Sequence, residues 1–280
     1  MTVPTLCGCG AIALWAVLAL LSVGAGAVPP LQLTAMSFGV SAVIGLGFLA
    51  VRGRLGELRQ STLAWAHGVG GLFGYHALYF AAIGLAPVAE ANLINYLWPL
   101  LIVLFSAPLL GLRLRALHFV GIALGLAGCV VLLGGRAALA GGTDARAGDA
   151  VALAAACVWS LYSVFSRRFE DVPTGAVAGF SGVTAVLAAG LHFAVERTAA
   201  PDAAEWAAIL LLGVGPVGAA FYLWDVGMKR GDPRLLGTLA YAIPVASTLL
   251  LCAAGRAPFT ASTVVAAVLV AAGGVAAARA

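Results

Sequence analysis

Two groups of residues in this 280-residue chain have types and spacing that could support catalysis or proton transfer. Gly179, Phe180, Ser181 and Gly182 read GxSG, a pattern found around the nucleophile of some intramembrane serine proteases. A serine nucleophile needs a base within hydrogen-bond reach. His192 lies roughly 16 Å farther along the same predicted helix, and His67, His76 and His118 all precede the serine. Packing is the stronger reading of Ser181, with an intramembrane Ser protease kept as the alternative. Asp225 follows Tyr222 by three residues and precedes Lys229 by four, the spacing of a helical ion pair or of a carboxylate that couples transport to protons. Lys229 follows Met228 and is the only lysine, so no P-loop is present, and neither HExxH nor GxSxG occurs. Cys7, Cys9, Cys129, Cys157 and Cys252 lie in apolar stretches without a CxxC pair and imply neither disulfide nor metal. No cofactor is expected, and the chain is not read as an enzyme.

A second set of residues suits binding rather than catalysis. Tyr75, His76 and Tyr79 share one helical face. Asn92, Asn95, Tyr96 and Pro99 recur at i, i+3, i+4 and i+7 beside Trp98; Trp159, Tyr162, Ser163 and Ser166 repeat that spacing, and Thr238, Tyr241 and Pro244 follow in steps of three. Polar groups in hydrocarbon are costly and usually face a cavity or a partner. Trp and Tyr rings could stack on a flat solute while their N–H and O–H groups orient it. Asn92 and Asn95 fit helix–helix contacts equally well. Trp15, Trp65, Trp206 and Trp224 are assigned to the interfacial belts.

The elements that carry these residues follow from composition. Hydrophobic side chains make up 62% of the chain and charged ones 9%, with a mean hydropathy of +1.06, whereas soluble domains are about 25% charged. Apolar runs mark ten spans, at 6–25, 31–51, 62–84, 88–107, 116–135, 149–166, 173–195, 205–228, 234–253 and 260–279. Each approaches the roughly 20 residues a spanning helix needs, and Pro108 with Arg113 and Arg115 separates the fourth from the fifth. No Arg or Lys precedes Arg52, so the first span is expected to be retained rather than cleaved as a signal peptide. The net charge of +4 comes from scattered basic residues, which argues against nucleic acid.

Those basic residues set orientation. With the N-terminus inside, the inner connections hold eleven: Arg52, Arg54, Arg59, Arg113, Arg115, Arg167, Arg168, Lys229, Arg230, Arg234 and Arg279. The outer ones hold four, Arg136, Arg146, Arg197 and Arg256. Positive residues stay on the cytoplasmic side, so both termini are expected in the cytoplasm. Arg outnumbers Lys fourteen to one, which with abundant Ala and Gly suggests a GC-rich bacterium.

The halves look related. Tyr96 and Tyr241, Pro99 and Pro244, and Gly128 and Gly273 are each 145 residues apart. A duplicated unit of five helices re-enters from the opposite side, so the expected fold is an all-α polytopic membrane protein of ten transmembrane helices, two inverted five-helix repeats around a central cavity. The first repeat would occupy 1–135, a linker 136–148 and the second repeat 149–280.

The Pro-centred helices NYLWPLLIVLFSAPLLG and AYAIPVASTLLLCAAG, with a Gly-rich helix after each, resemble the drug/metabolite transporter superfamily with two EamA-type repeats. The resemblance covers nearly the whole chain. Within it, GYHALYFAAIGLAPVAEANLINYLWPLLIVLFSAPLLG and AACVWSLYSVFSRR are similar to members that export aromatic amino acids. This implies a secondary transporter moving Phe, Tyr and Trp out of the cytoplasm across the inner membrane by alternating access. It also implies that Tyr75, His76, Tyr79, Tyr96, Trp98, Pro99, Trp159 and Tyr241 lie at or near the cavity; Asn95 joins the expected substrate site from its place on the helical stripe, and Pro99 and Pro244 are the expected gating bends. Many EamA repeats carry an acidic residue just after the Pro-centred helix, where this chain has Leu112 and Arg256; no role for that carboxylate carries over. Other small metabolites or drugs are the alternative cargo. The partners expected are the small solute and the lipid bilayer, and a monomer is compatible with the sequence.

Overall fold

The computed structural model describes residues 1–26, 28–132 and 146–280. The described residues are helical, with no strand. The helices are α1 (Val3–Gly24), α2 (Pro30–Val51), α3 (Thr62–Leu85), α4 (Val88–Asn95), α5 (Trp98–Leu110) and α6 (Ala116–Leu132), then α7 (Arg146–Phe165), α8 (Ala176–Val195), α9 (Ala203–Val214), α10 (Ala220–Arg230), α11 (Pro233–Leu239), α12 (Ala242–Ala253) and α13 (Ala261–Ala278). Among the described residues, nine helical segments are long and apolar enough to cross a membrane, and α6, with 17 residues, is apolar but shorter. Residues 136–145 of the predicted linker and 133–135 of the predicted fifth span lie outside the described residues. α7 begins at Arg146, so the linker's last three residues are helical.

Local chemistry sets the helix ends. Pro29 and Pro30 open α2 and Pro233 opens α11, where the missing N–H costs nothing. Asp202 and Glu205 cap α9 reciprocally, each carboxylate accepting from the other's backbone N–H at 2.8 and 2.9 Å. α5 runs through Pro108 and stops at Gly111, which adopts φ +69°. The break expected between Pro108 and Arg115 thus begins at Gly111, where glycine tolerates the left-handed conformation.

Three spans are irregular, each at a proline. The fourth breaks at Tyr96–Leu97, with Pro99 in the first turn of α5; the ninth breaks at Ala240–Tyr241, with Pro244 in the first turn of α12. Both breaks lie two to four residues before the proline, because proline fits a first turn but not a helix interior. In the eighth span α9 passes into α10 through a π-turn at Gly215–Ala219 that contains Pro216.

α1 packs along α10 and α3 along α7, α12 lies on α1 and α5 on α7, and α2–α8 and α6–α13 form two further pairs. α11 packs on α5, where a Cβ on Gly237 would meet the Pro99 carbonyl oxygen at 2.9 Å. Glycines admit the closest approaches. A Cβ on Gly121 would sit 2.9 Å from the Gly273 carbonyl oxygen, and one on Gly273 2.6 Å from that of Gly121. Gly68 and Gly71 similarly make room for the rings of Phe180 and Tyr162. The backbone of α6 and α13 cannot step aside as a side chain can, so Gly121→Val or Gly273→Val is expected to cost about 1–3 kcal/mol. Thermal unfolding in detergent should show the loss, whereas Gly47→Val, at a position with open space around it, should leave unfolding unchanged.

Candidate functional site

A cavity of about 540 Å³ lies between the halves, within the range of small-molecule pockets. Its walls come from the second half of α1, the first half of α2, the second half of α3, the α4–α5 break, Trp159 of α7, the α9–α10 π-turn and Ile243 of α12. These parts lie toward the end of the molecule that holds the α1–α2 and α3–α4 connections. The opposite end carries the arginine-rich connections. Among the described residues, no carboxylate, ammonium or guanidinium group lines the cavity.

Aromatic rings dominate the lining. Trp15 meets Trp159 and Phe221 edge-on at 5.7 and 5.8 Å, and Trp98 meets Trp159 edge-on at 6.3 Å. Trp224 lies against Trp15 at 5.0 Å, and its indole nitrogen donates to Ser163 Oγ at 3.1 Å. On the α3 wall Tyr75 and Tyr79 stack at 6.0 Å, and Phe38 faces His76 edge-on at 5.2 Å. Offset and edge-on contacts of this kind contribute about 0.5–1.5 kcal/mol each beyond their burial. They hold the floor rigid.

The polar groups are held by the helices that bring them in. The Tyr79 hydroxyl donates to Asn92 Oδ1 at 2.6 Å, and Asn95 Nδ2 donates to the Tyr75 hydroxyl at 3.1 Å, so α3 positions both asparagines of α4. His76 Nδ1 lies 2.7 Å from the Leu72 carbonyl oxygen one turn back, which makes Nδ1 the donor and turns Nε2 away from it. The indole nitrogen of Trp15 donates to the Pro216 carbonyl of the π-turn at 3.0 Å, and Ser160 Oγ lies within donating distance of the Trp98 carbonyl, at 3.0 Å. The Trp15 indole thus satisfies backbone at the π-turn, while the Ser160 proton goes to the nearer Ala156 carbonyl at 2.6 Å.

Of the residues singled out from sequence, Tyr75, His76, Tyr79, Asn95, Tyr96, Trp98 and Trp159 all line this one cavity. Tyr241 does not. Its helical stripe faces α6, where the ring lies on Gly125 among Val103, Ile122 and Cys129. Pro99 and Pro244 are buried at the breaks without lining the cavity. Trp15 and Trp224, assigned above to the interfacial belts, are buried in the ring cluster, because each indole N–H finds an acceptor there. Trp206 is 45% exposed, in keeping with its assignment. Sequence reasoning passed over Trp15, Ser37, Phe38, Phe80, Pro216 and Phe221; a mid-span Trp and a Pro within span eight were the available signals.

Hydrogen bonds from both halves close the arginine-rich end. Arg234 donates to the Arg113 carbonyl at 2.9 Å, Arg168 to that of Leu109 at 3.1 Å, and Arg115 to that of Ala280. Asp225 and Lys229 pair at 2.8 Å, each 6% exposed, so the pair is buried rather than interfacial. Thr174 donates to Asp225 at 2.6 Å and Lys229 to the Val172 carbonyl at 2.8 Å. The Asp225 carboxylate is therefore fully engaged. Ser181 is buried, and the ring nitrogens of His192 are taken by Glu196 at 2.8 Å and Thr198 at 2.9 Å.

Membrane-length helices around a cavity walled largely by aromatic rings make a multi-pass membrane protein with room for a small molecule. Residues 3–134 and 146–278 each match the EamA-like transporter family, and the chain belongs to that family. It is 53% identical to the aromatic amino acid exporter YddG of Ancylobacter novellus over 271 residues, covering 96% of this chain and 94% of that protein. It is 26% identical to the aromatic amino acid exporter YddG of Escherichia coli K12 over 67% of this chain and 64% of that one. A solved crystal structure superposes with a TM-score of 0.93 at 52% identity, covering 99% of this chain and 96% of the other.

Removing one partner of a buried ion pair leaves a charge without compensation, at a cost of about 3–5 kcal/mol, while removing both is far milder. Asp225→Leu and Lys229→Met are each expected to lower the unfolding temperature in detergent, and the double substitution to recover most of the loss. Equal losses in all three variants would mean that packing, not charge pairing, holds this end.

Proposed function

We propose that this chain exports Phe, Tyr and Trp from the cytoplasm across a bacterial inner membrane. The observation that carries this reading is the cavity itself: about 540 Å³, walled by Trp and Tyr rings, with no charged side chain among the described lining residues. Flat rings suit edge-on and offset packing against such walls, and a zwitterion brings no net charge into them. The name of the relative at 53% identity supports the same cargo. One chain builds the whole cavity, so a monomer suffices.

The mechanism is alternating access by two inverted five-helix repeats, 1–135 and 149–280, joined through 136–148, with ten spanning helices and both termini in the cytoplasm. Exchanging the halves turns α1 on α10 into α7 on α3, and α5 on α7 into α12 on α1; each pair packs in the structure. Several pairs lack their counterparts. α11 packs on α5, α6 and α13 at the arginine-rich end, whereas α4 makes no comparable contact with α12, α13 or α6 at the cavity end. With the arginines in the cytoplasm, the cavity faces outward, and the inward state would pack α4 on α12 while α11 leaves α5. Pro99 and Pro244, at the breaks, let each half-helix move separately.

The test is uptake of labelled Phe, Trp, Thr and Lys into liposomes holding the purified protein, with and without a pH gradient. Saturable Phe and Trp flux is expected, with Lys excluded. Trp98→Ala should lower Phe flux about tenfold or more with the protein still folded in detergent, and Trp98→Phe, which keeps a ring over Trp159, should retain most of it. Absence of aromatic flux in the unaltered protein would overturn the reading.

A further inference from the structure

Two of the residues lining the cavity carry buried side-chain atoms without a hydrogen-bond partner: the Ser37 hydroxyl on α2 and the Asn95 Oδ1 on α4. Ser37 is 1% exposed and Asn95 5%. Buried polar atoms are nearly always paired, and one left alone costs about as much as a lost hydrogen bond. Ser181 and Thr184 of α8 also lack a partner, away from the cavity, so what sets Ser37 apart is its place in the lining; several other helical hydroxyls show the ordinary remedy. Thr34, Ser160, Ser166, Thr238 and Thr248 each donate to the carbonyl four residues back, at 2.6 to 3.0 Å. Ser37 forgoes that bond. Asn95 is fixed through its amide nitrogen, which donates to Tyr75, and this leaves the carbonyl oxygen as an acceptor without a donor. Residue 99 is proline, so the Asn95 main-chain carbonyl also has no N–H four residues on to bind.

We infer that Asn95 and Ser37 take the two polar ends of the cargo, the Asn95 amide oxygen accepting from its ammonium group and the Ser37 hydroxyl donating to its carboxylate. The inference rests on the aromatic amino acid reading above and adds the orientation of the substrate. A zwitterion loses its water on entering a ring-lined cavity and needs one acceptor and one donor in return. These residues supply one of each from different walls, and no charged side chain is among the described residues of the lining. Discrimination then comes from the pairing. A ligand lacking either charged group leaves Asn95 or Ser37 still unpartnered, and a site built to hydrogen-bond a group rejects analogues without it.

The experiment measures how well Phe, 2-phenylethylamine and 3-phenylpropionate compete with labelled Phe for flux in liposomes, using the full chain, Ser37→Ala, Asn95→Leu and Asn95→Asp. Phe should compete best in the unaltered protein. Asn95→Leu should weaken competition by Phe and by the amine about tenfold, the scale of a lost charge-assisted hydrogen bond, and leave the carboxylate unaffected. Ser37→Ala should do the reverse, weakening Phe and the carboxylate and sparing the amine. Asn95→Asp restores an acceptor with charge and should strengthen competition by the amine, which also answers a failure of Asn95→Leu to fold. If the unaltered protein moves no Phe, the reading of the cargo falls and this inference with it. If it moves Phe but the substitutions affect all three ligands alike, or with the pattern reversed, the assignment of the polar ends falls and the cargo stands.

Discussion

Hydrocarbon offers no water to an unpaired backbone group, and the placement of every irregular turn in this protein follows from that. A spanning helix satisfies its own N–H and C=O groups, so a break is tolerated only inside protein or beside a cavity. The chain breaks or widens three helices, and Pro99, Pro216 and Pro244 mark the places. A side chain meets part of the resulting need: Trp15 bonds the Pro216 carbonyl. The same indole that repairs the π-turn also forms part of the cavity floor. Backbone irregularity and the lining are one construction.

Packing around that construction is uneven in a way that matters for motion. α6 and α13 interlock through reciprocal glycine contacts, and α2 lies along α8 with its first N–H groups capped by Glu196, which accepts from Leu31 at 3.0 Å and Gln32 at 3.2 Å. A carboxylate at a helix N-terminus satisfies orphan donors and opposes the macrodipole. These pairs cross between the halves without involving the broken helices. On the proposed cycle they serve as the axle, while α4, α5, α11 and α12 carry the change.

Much of this was legible in the sequence, and the reasons for the exceptions are physical. Apolar runs gave the spans because hydrocarbon thickness sets their length. The Tyr75–Tyr79 face and the Asn95–Trp98 cluster came together as expected because polar side chains at that depth need company. Tyr241 shares the helical spacing of such a stripe yet lies on Gly125; a stripe shows that one face is distinctive, not which neighbour it meets. Trp15 and Trp224 were placed at the interface by residue type alone, when their positions within the spans called for buried acceptors. Ser37 was invisible for the opposite reason. A lone serine in an apolar helix usually bonds its own backbone, and only coordinates reveal that this one does not.

The absence of charged side chains among the described residues of the lining also bears on energetics. Moving one elementary charge across a membrane costs or releases about 2.3 kcal/mol per 100 mV. A neutral cavity that carries a net-neutral zwitterion moves no charge in either half of its cycle, so the membrane voltage neither drives it nor holds it back. Its direction would then follow the solute's own concentration ratio alone. On the proposed cargo, such a protein would carry solute outward when the cell holds the higher concentration and inward when it holds the lower.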